Sequence, residues 1–369
     1  MRENNRAEVR VNLDAITSNI KHLTKGVAGD FLAVVKADAY GHGLIAIAET
    51  AVNAGAKYLG VALLEEAFAL RAAGITAPII AWLTPLNQDF ERAVSENIEL
   101  SIANIESAKA IEAAGKSVGK RPVVHIEFDS GMGRGGFTAE SFAAFLPLMK
   151  TFDLDYRGFW THFARADEPE RGETHQQIAA FDSALNDLNA AGIAPEIIHL
   201  SNSAAAIAHT SAHRSMVRLG IAMYGLSPDL THMGSSEKLG LTPAMSLYSN
   251  LTLVKRVPAG TPVGYGAVGV TTEATTLGIV TMGYSDGIPR QTSSAVGVVH
   301  AGKRAPIIGR VSMDQFVVDL GAGSTAKAGD EVLIFGSSGY SVDEWAQAAG
   351  TINYEIVTRI APRVPRIYG

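Results

Sequence analysis

From about residue 30 to residue 222 the chain alternates between two textures, and this alternation limits the possible folds more than any other feature. Short β-rich apolar runs stand at FLAVV (31–35), YLGVAL (58–63), PIIAWL (78–83), LSIAN (100–104), PVVHIEF (122–128), YRGFWTHF (156–163), EIIHLS (196–201) and MVRLGI (216–221). Amphipathic stretches lie between them. LLEEAFALRAAG (63–74) sets Leu64, Ala67, Phe68 and Leu70 on one side and mostly Glu65, Glu66 and Arg71 on the other. Several such stretches end in glycine, the usual residue just past a helix C-terminus. Strand–helix alternation repeated eight times predicts a parallel (β/α)8 TIM-type barrel over residues 12–235. A doubly wound open sheet has the same periodicity and stays open as the alternative.

After about residue 235 the helical period fades. SLYSNLTLVKRV, TTLGIVTMGY, AVGVVHA, APIIGRV, QFVVDL and DEVLIF read as strands between Gly/Pro turns, so residues 236–369 form a mostly-β domain. SVDEWAQAAG (341–350) reads as one short helix in it, with Ser341 as N-cap. The segment 1–11, containing RAEVRVNL, is a candidate strand of that domain. The composition, 47% hydrophobic and 18% charged, supports large cores and excludes disorder.

Other classes are excluded more directly. The net charge is −6 and no basic run of five occurs, which argues against nucleic acid. Without cysteine there is no disulfide, thiolate metal site or cysteine nucleophile, and no metal is expected. No eighteen-residue apolar stretch and no secretory leader are present, so the expectation is a cytoplasmic protein without a membrane span.

Active sites of such barrels sit at the C-terminal strand ends. The first strand is followed by Lys36 and Tyr40 within AVVKADAYGHG. A lysine between apolar walls loses charge by desolvation, and a neutral amine condenses with carbonyls. The same lysine is also read as one whose stem packs while its head reaches water. The fifth strand gives Asp129 and then GMGRGG with Arg134; the sixth gives His162; the seventh gives His199, Ser201, Asn202 and Ser203; the eighth gives Arg218, Gly220 and Ile221. Singly, Asp129 and Ser203 read as caps, His162 as a core histidine, and the arginines as rim ion pairs. Their shared mouth favours a site. Loops after the seventh and eighth strands commonly bind phosphate. A carbonyl-reactive lysine beside a phosphate cradle is the minimal signature of pyridoxal 5′-phosphate, with Arg218 where the pyridine ring must rest.

These motifs resemble those of the alanine racemase family almost end to end. AVVKADAYGHG, DSGMGRGG, THFARAD, SNSAA and VRLGIAMYG match in the barrel; GYGAVG, TMGYSDG, GRVSMDQFVVDL and TINYEIVTRIAPRVPRIY match in the second domain. The resemblance implies interconversion of L- and D-alanine with pyridoxal 5′-phosphate, supplying D-alanine for peptidoglycan. It implies Lys36 and Tyr265 as acid–base groups on opposite faces of the substrate. Tyr40, Ser203, Gly220, Ile221 and Tyr354 would hold the cofactor's phosphate, and Asn202, Arg134, His162 and Arg218 would also bind the cofactor. Arg134 and Met313 would bind the substrate carboxylate, Tyr284 would line the entrance, and Glu127, His199 and Asp314 would support the site. Tyr265 would come from a second copy, making a homodimer with composite sites.

The chain departs from the family pattern twice. Glu127 stands where many members carry a carbamylated lysine, which predicts a charge-assisted pair between Glu127 and Arg134 and no need for bicarbonate. Ser312 stands where many have cysteine. A broader or serine-preferring racemase remains the nearest alternative. A barrel-type decarboxylase is disfavoured by Arg218, because that chemistry normally pairs the pyridine nitrogen with a carboxylate. A non-catalytic cofactor carrier is disfavoured by the second domain.

Overall fold

The computed structural model describes residues 6–369. Residues 1–5 of the candidate first strand lie outside the described residues. The chain divides into two compact units. One comprises Ile16–Ala39 and Leu44–Leu241; the other comprises Thr242–Gly369, Tyr40–Gly43 and the N-terminal segment through Ala15.

The first unit is the expected parallel barrel. Its strands are β1 (Asp30–Val34), β2 (Tyr58–Val61), β3 (Ile79–Ala81), β4 (Ile98–Ile102), β5 (Val123–Glu127), β6 (Asp155–Trp160), β7 (Ile197–His199) and β8 (Met216–Leu219). They hydrogen-bond in the order β7-β6-β5-β4-β3-β2-β1-β8. The remaining seam, β7 to β8, is closed by less regular bonds. Arg218 N donates to Ser201 O at 3.0 Å and Ser215 N to Ile198 O at 3.2 Å. This near-closure decides against the open sheet.

Strands covered on both faces must be apolar throughout, and four of the five residues of β1 and all five of β4 are buried. The helices start where side chains can take orphan amides. Asn104 caps Ile105–Val118 by accepting from Ser107 N, and Thr138 caps Ala139–Phe145 by accepting from Ser141 N. Outside β5 and β6, Phe142 and Phe145 pack against Phe137, and Phe142 and Phe181 against Phe159, with ring centroids 4.5–6.2 Å apart. Truncating one such ring to alanine costs ~3–5 kcal/mol.

The second unit is built on one long strand, Met245–Val257. Its first half pairs antiparallel with Ala7–Val11 and with Glu331–Phe335; its second half pairs with Thr275–Val280. Register shifts at Leu247/Tyr248 and Leu251/Leu253 let it bend between these partners. Strand Phe316–Asp319 extends the sheet, and Arg366–Tyr368 lies parallel to Ala7–Val11. The helix Val342–Ala349 carries the expected Ser341 cap, completed by Glu344 reaching back to the Ser341 amide at 2.7 Å. Among the described residues no helix is long and apolar enough to cross a membrane.

Candidate active site

The turn after β1 does not adopt an ordinary helix. Ala37, Asp38, Ala39 and Tyr40 all have φ between 52° and 54°. Four consecutive non-glycine residues in the left-handed region cost on the order of 1–2 kcal/mol each. Side chains fixed elsewhere in the barrel hold the turn. Glu66 accepts from Ala37 N at 2.5 Å with one oxygen, and from Ala62 N and Leu63 N at 2.9 and 3.0 Å with the other. Asp38 accepts from Leu44 N at 2.8 Å.

The turn carries Lys36, whose ammonium lies 5.9 Å from the Trp82 ring centroid. Burial lowers the lysine's pKa, and the nearby positive charges of Arg134 and Arg218 lower it further against the opposing pull of Glu66. The lysine is therefore easier to bring to its nucleophilic, uncharged form. Trp82 enters this space because Gly60 has no side chain; a Cβ there would lie 2.6 Å from the indole. The Trp82 indole N–H is buried without a hydrogen-bond partner among the described residues.

Arg218 is fully enclosed in the barrel. It donates to the carbonyls of His199 (2.6 Å), Thr161 (2.9 Å) and Leu200 (3.1 Å). It also meets His199 Nδ1 at 3.2 Å and His162 Nδ1 at 3.4 Å. Burial pushes the guanidinium down to about 9, against the attraction of Glu127, which still leaves it cationic at neutral pH. Burial, followed by Arg218, Arg134 and Lys36, keeps His162 well below the usual histidine range, so it is neutral at pH 7. Since Arg218 only donates, His162 Nδ1 is the acceptor and its proton sits on Nε2.

After β7, Asn202 caps the short helix Ser203–Ala208 by accepting from Ala205 N at 2.9 Å. Ser203 Oγ accepts from Gly220 N at 2.8 Å and from Ala222 N at 3.4 Å. With those acceptor sites filled, its hydroxyl proton is left to point at an acceptor. Ile221 is buried directly behind Gly220.

The loop after β5 is organised by Asp129, whose carboxylate accepts from the amides of Gly131, Met132 and Gly133 at 2.9–3.1 Å. Gly136 has φ +98°, and a Cβ there would meet Asp129 N at 2.8 Å. Arg134 stands exposed on this loop. The expected direct pair with Glu127 is not made, since no ion pair or hydrogen bond joins the two among the described residues. Burial raises the Glu127 carboxyl to about 7, while Arg134 and Arg218 pull it down only through their fields. A carboxylate on the short glutamate stem, at the end of a strand, does not reach an exposed loop guanidinium.

The second unit holds the remaining residues. Tyr265 lies 69% exposed on a tight turn between the short paired strands Pro262–Val263 and Gly269–Val270. Tyr284 and Met313 sit on loops tied together by Tyr284 N to Ser312 O (3.0 Å) and Ser285 N to Met313 O (2.9 Å). Arg363 clamps Asp314 (2.7 Å) to Asp286 (2.6 Å). Tyr354 and Tyr40 lie with ring centroids 6.2 Å apart. Burial pushes the Tyr40 phenol up, so it remains a neutral donor at pH 7.

Reading strand ends alone missed Glu66, which straps the lysine turn. It also passed over Glu99 and His125, although an ionisable residue inside an apolar strand is itself a signal, because it must be partnered there.

The chain matches the family model for the alanine racemase N-terminal domain over residues 11–228 and that for the C-terminal domain over residues 244–368. The chain belongs to the alanine racemase family of isomerases. It is 42% identical over 367 residues to the alanine racemase of Frankia casuarinae, covering 97% of this chain and 95% of the relative. Among solved structures it superposes with a TM-score of 0.96 on the alanine racemase of D-cycloserine-producing Streptomyces lavendulae, at 40% identity, covering 99% of this chain and 97% of the other. The alanine racemase of Bacillus anthracis with bound L-Ala-P gives 0.89 at 36% identity, covering 99% and 95%.

Proposed function

We propose that this protein interconverts L- and D-alanine with pyridoxal 5′-phosphate, in the cytoplasm, and supplies D-alanine to peptidoglycan. The observation that carries the reading is the pairing, at one barrel mouth, of an amine with a lowered pKa (Lys36) and a buried guanidinium (Arg218) that stays cationic. The residues fit the cofactor. Lys36 would carry it; Tyr40, Tyr354, Asn202, Ser203, Gly220 and Ile221 would hold its phosphate; and the orphaned Trp82 N–H marks a buried polar space beside the lysine. When bound, the group supplies an electron sink that makes the substrate Cα proton acidic.

The protein's own task is then to hold the substrate and move a proton on each face. Arg134 and the Met313 amide bind the substrate carboxylate, and Tyr284 narrows the entrance. Lys36 takes or returns the Cα proton on one face, and Tyr265 from a second copy serves the other. A free phenol titrates near ~10. His162, neutral with its proton on Nε2, is a donor suited to stabilise a phenolate, and Arg218 behind it contributes positive charge. Arg218 only donates, so it would face the ring nitrogen of the bound group without protonating it. That would restrain the electron sink and favour simple return of the proton.

Chiral analysis of L-alanine, L-serine and L-lysine incubated with the purified, yellow protein tests the reading. D-alanine formed fastest is expected; D-serine formed fastest would make it a serine racemase, and no D-product from any of them would end the proposal.

A further inference from the structure

The interior of a barrel of this kind is usually filled by branched apolar side chains. Here a line of polar groups climbs through it. Arg157 on β6 donates to Glu99 Oε1 on β4 at 3.1 Å. Glu99 Oε2 lies 2.7 Å from His125 Nε2 on β5, and His125 Nδ1 lies 3.0 Å from His199 Nε2 on β7. His199 Nδ1 lies 3.2 Å from Arg218 on β8. Both histidines are fully buried.

We propose that Glu99 and His125 are positioning residues for Arg218, fixing through His199 which imidazole nitrogen meets the guanidinium and carrying the Glu99 negative charge toward it.

The chemistry of the two ends dictates the direction. Arginine only donates, and an ionised carboxylate only accepts. His199 Nδ1 must therefore be a bare acceptor, with its proton on Nε2. That proton points at His125 Nδ1, which must also be bare, so the His125 proton sits on Nε2 and is given to Glu99. No other arrangement of two neutral imidazoles satisfies all three contacts. A charged imidazole at either position would set two donors face to face, next to a buried cation.

The surrounding residues are shaped for this line. A Cβ at position 158 would lie 1.8 Å from His125 Nδ1, so Gly158 is the space the ring occupies. The register of β5 against β6 slips between Val124 and His125, which leaves Arg157 out of the ladder, and its guanidinium contacts Glu99 and Asp155. Trp160 stacks on His199 with centroids 5.8 Å apart and donates to Ser101 Oγ. The charged or titratable groups around Glu99 are Tyr58, Arg71, Arg157 and His125; at the upper end, Glu127, Arg134, Lys36 and His162 surround Arg218. Glu99 is the acidic group in direct contact with the line.

The test is long-range 1H–15N spectroscopy of the holoenzyme with 15N-labelled histidine, assigned with His125→Asn. Both rings are expected to carry the proton on Nε2 at neutral pH. A proton on Nδ1 of either ring, or an imidazolium at either position, overturns the proposal on the wild-type spectrum, for which the variant supplies only the assignment. Glu99→Gln keeps the shape, removes the charge and offers a donor; it should shift the His199 nitrogens and populate Nδ1–H. Glu99→Asp should lie between, and Gly158→Ala should disturb the same resonances. An unmoved His199 spectrum in Glu99→Gln would overturn the idea. The kinetic arm rests on the racemase reading. There Glu99→Gln should lower kcat roughly tenfold with KM held within about twofold, the range seen when an outer partner of a functional side chain is lost. A wild type with the expected tautomers but no racemase activity would sink that reading and leave the line standing.

Discussion

The turns that carry Lys36 and Tyr265 are built on opposite plans. The lysine turn runs through four left-handed residues, none a glycine, and is tied down by Glu66 and Asp38. The tyrosine turn takes its positive φ mostly at Gly264 and Gly266, with Ala267 as the non-glycine exception, and leaves Tyr265, Val268 and Val270 exposed. Glycine makes such a turn easy to form and leaves it loose. A non-glycine left-handed turn forms only where its surroundings over-determine it. Lys36 is thus held by its own unit, and Tyr265 stands on a surface whose apolar side chains lack cover from their own unit.

If that contrast is functional, removing each group should hurt differently. Lys36→Ala should abolish racemisation in both directions, by more than about a thousandfold, while Tyr265→Phe should fall at least about a hundredfold and unequally in the two directions. Mixing Lys36→Ala with Tyr265→Ala protein should recover part of the activity by subunit exchange; no recovery would place both groups in one chain. Kinetics from each enantiomer give the answer.

Glu66→Gln should break the strap on one turn only. Leaving amides with poorer partners costs ~2–3 kcal/mol, seen as a Tm about 4–10 °C lower, and Lys36 should lose cofactor more readily. An unchanged Tm would mean that Glu66 does not hold the turn.

Glu127 gives a pH test with a definite sign. Its folded pKa, near 7, is raised above the unfolded value, so its contribution is full below about 4.5 and lost as pH rises through 7. Wild type should therefore lose on the order of 1–3 kcal/mol between pH 5 and 8 through this group, and Glu127→Gln should flatten that part of the curve in urea titrations. Its activity should not depend on added bicarbonate. The smallest effect expected is Ala37→Gly, which should relieve strain and raise stability by up to ~1 kcal/mol, whereas Val268→Gly should not.

The barrel was legible because burial on both faces forces apolar strands, and their spacing leaves room for one helix each. Strand ends were less legible. YRGFWTHF reads as one run, but the strand stops at Trp160, and Thr161 and His162 turn out to serve Arg218. The left-handed lysine turn left no trace, because KADAY has good helix formers and only tertiary contacts hold it the other way. The absent Glu127–Arg134 pair shows the same limit. Separation along the chain gives proximity, while reach depends on where a loop carries its side chain.

The long strand Met245–Val257 has a further consequence. Its first partner, Ala7–Val11, is made more than two hundred residues earlier. At ~5–20 residues per second, that edge waits roughly ten to fifty seconds on the ribosome for its complement. Throughout synthesis of the barrel, the Ala7–Val11 strand is an unclaimed adhesive strip.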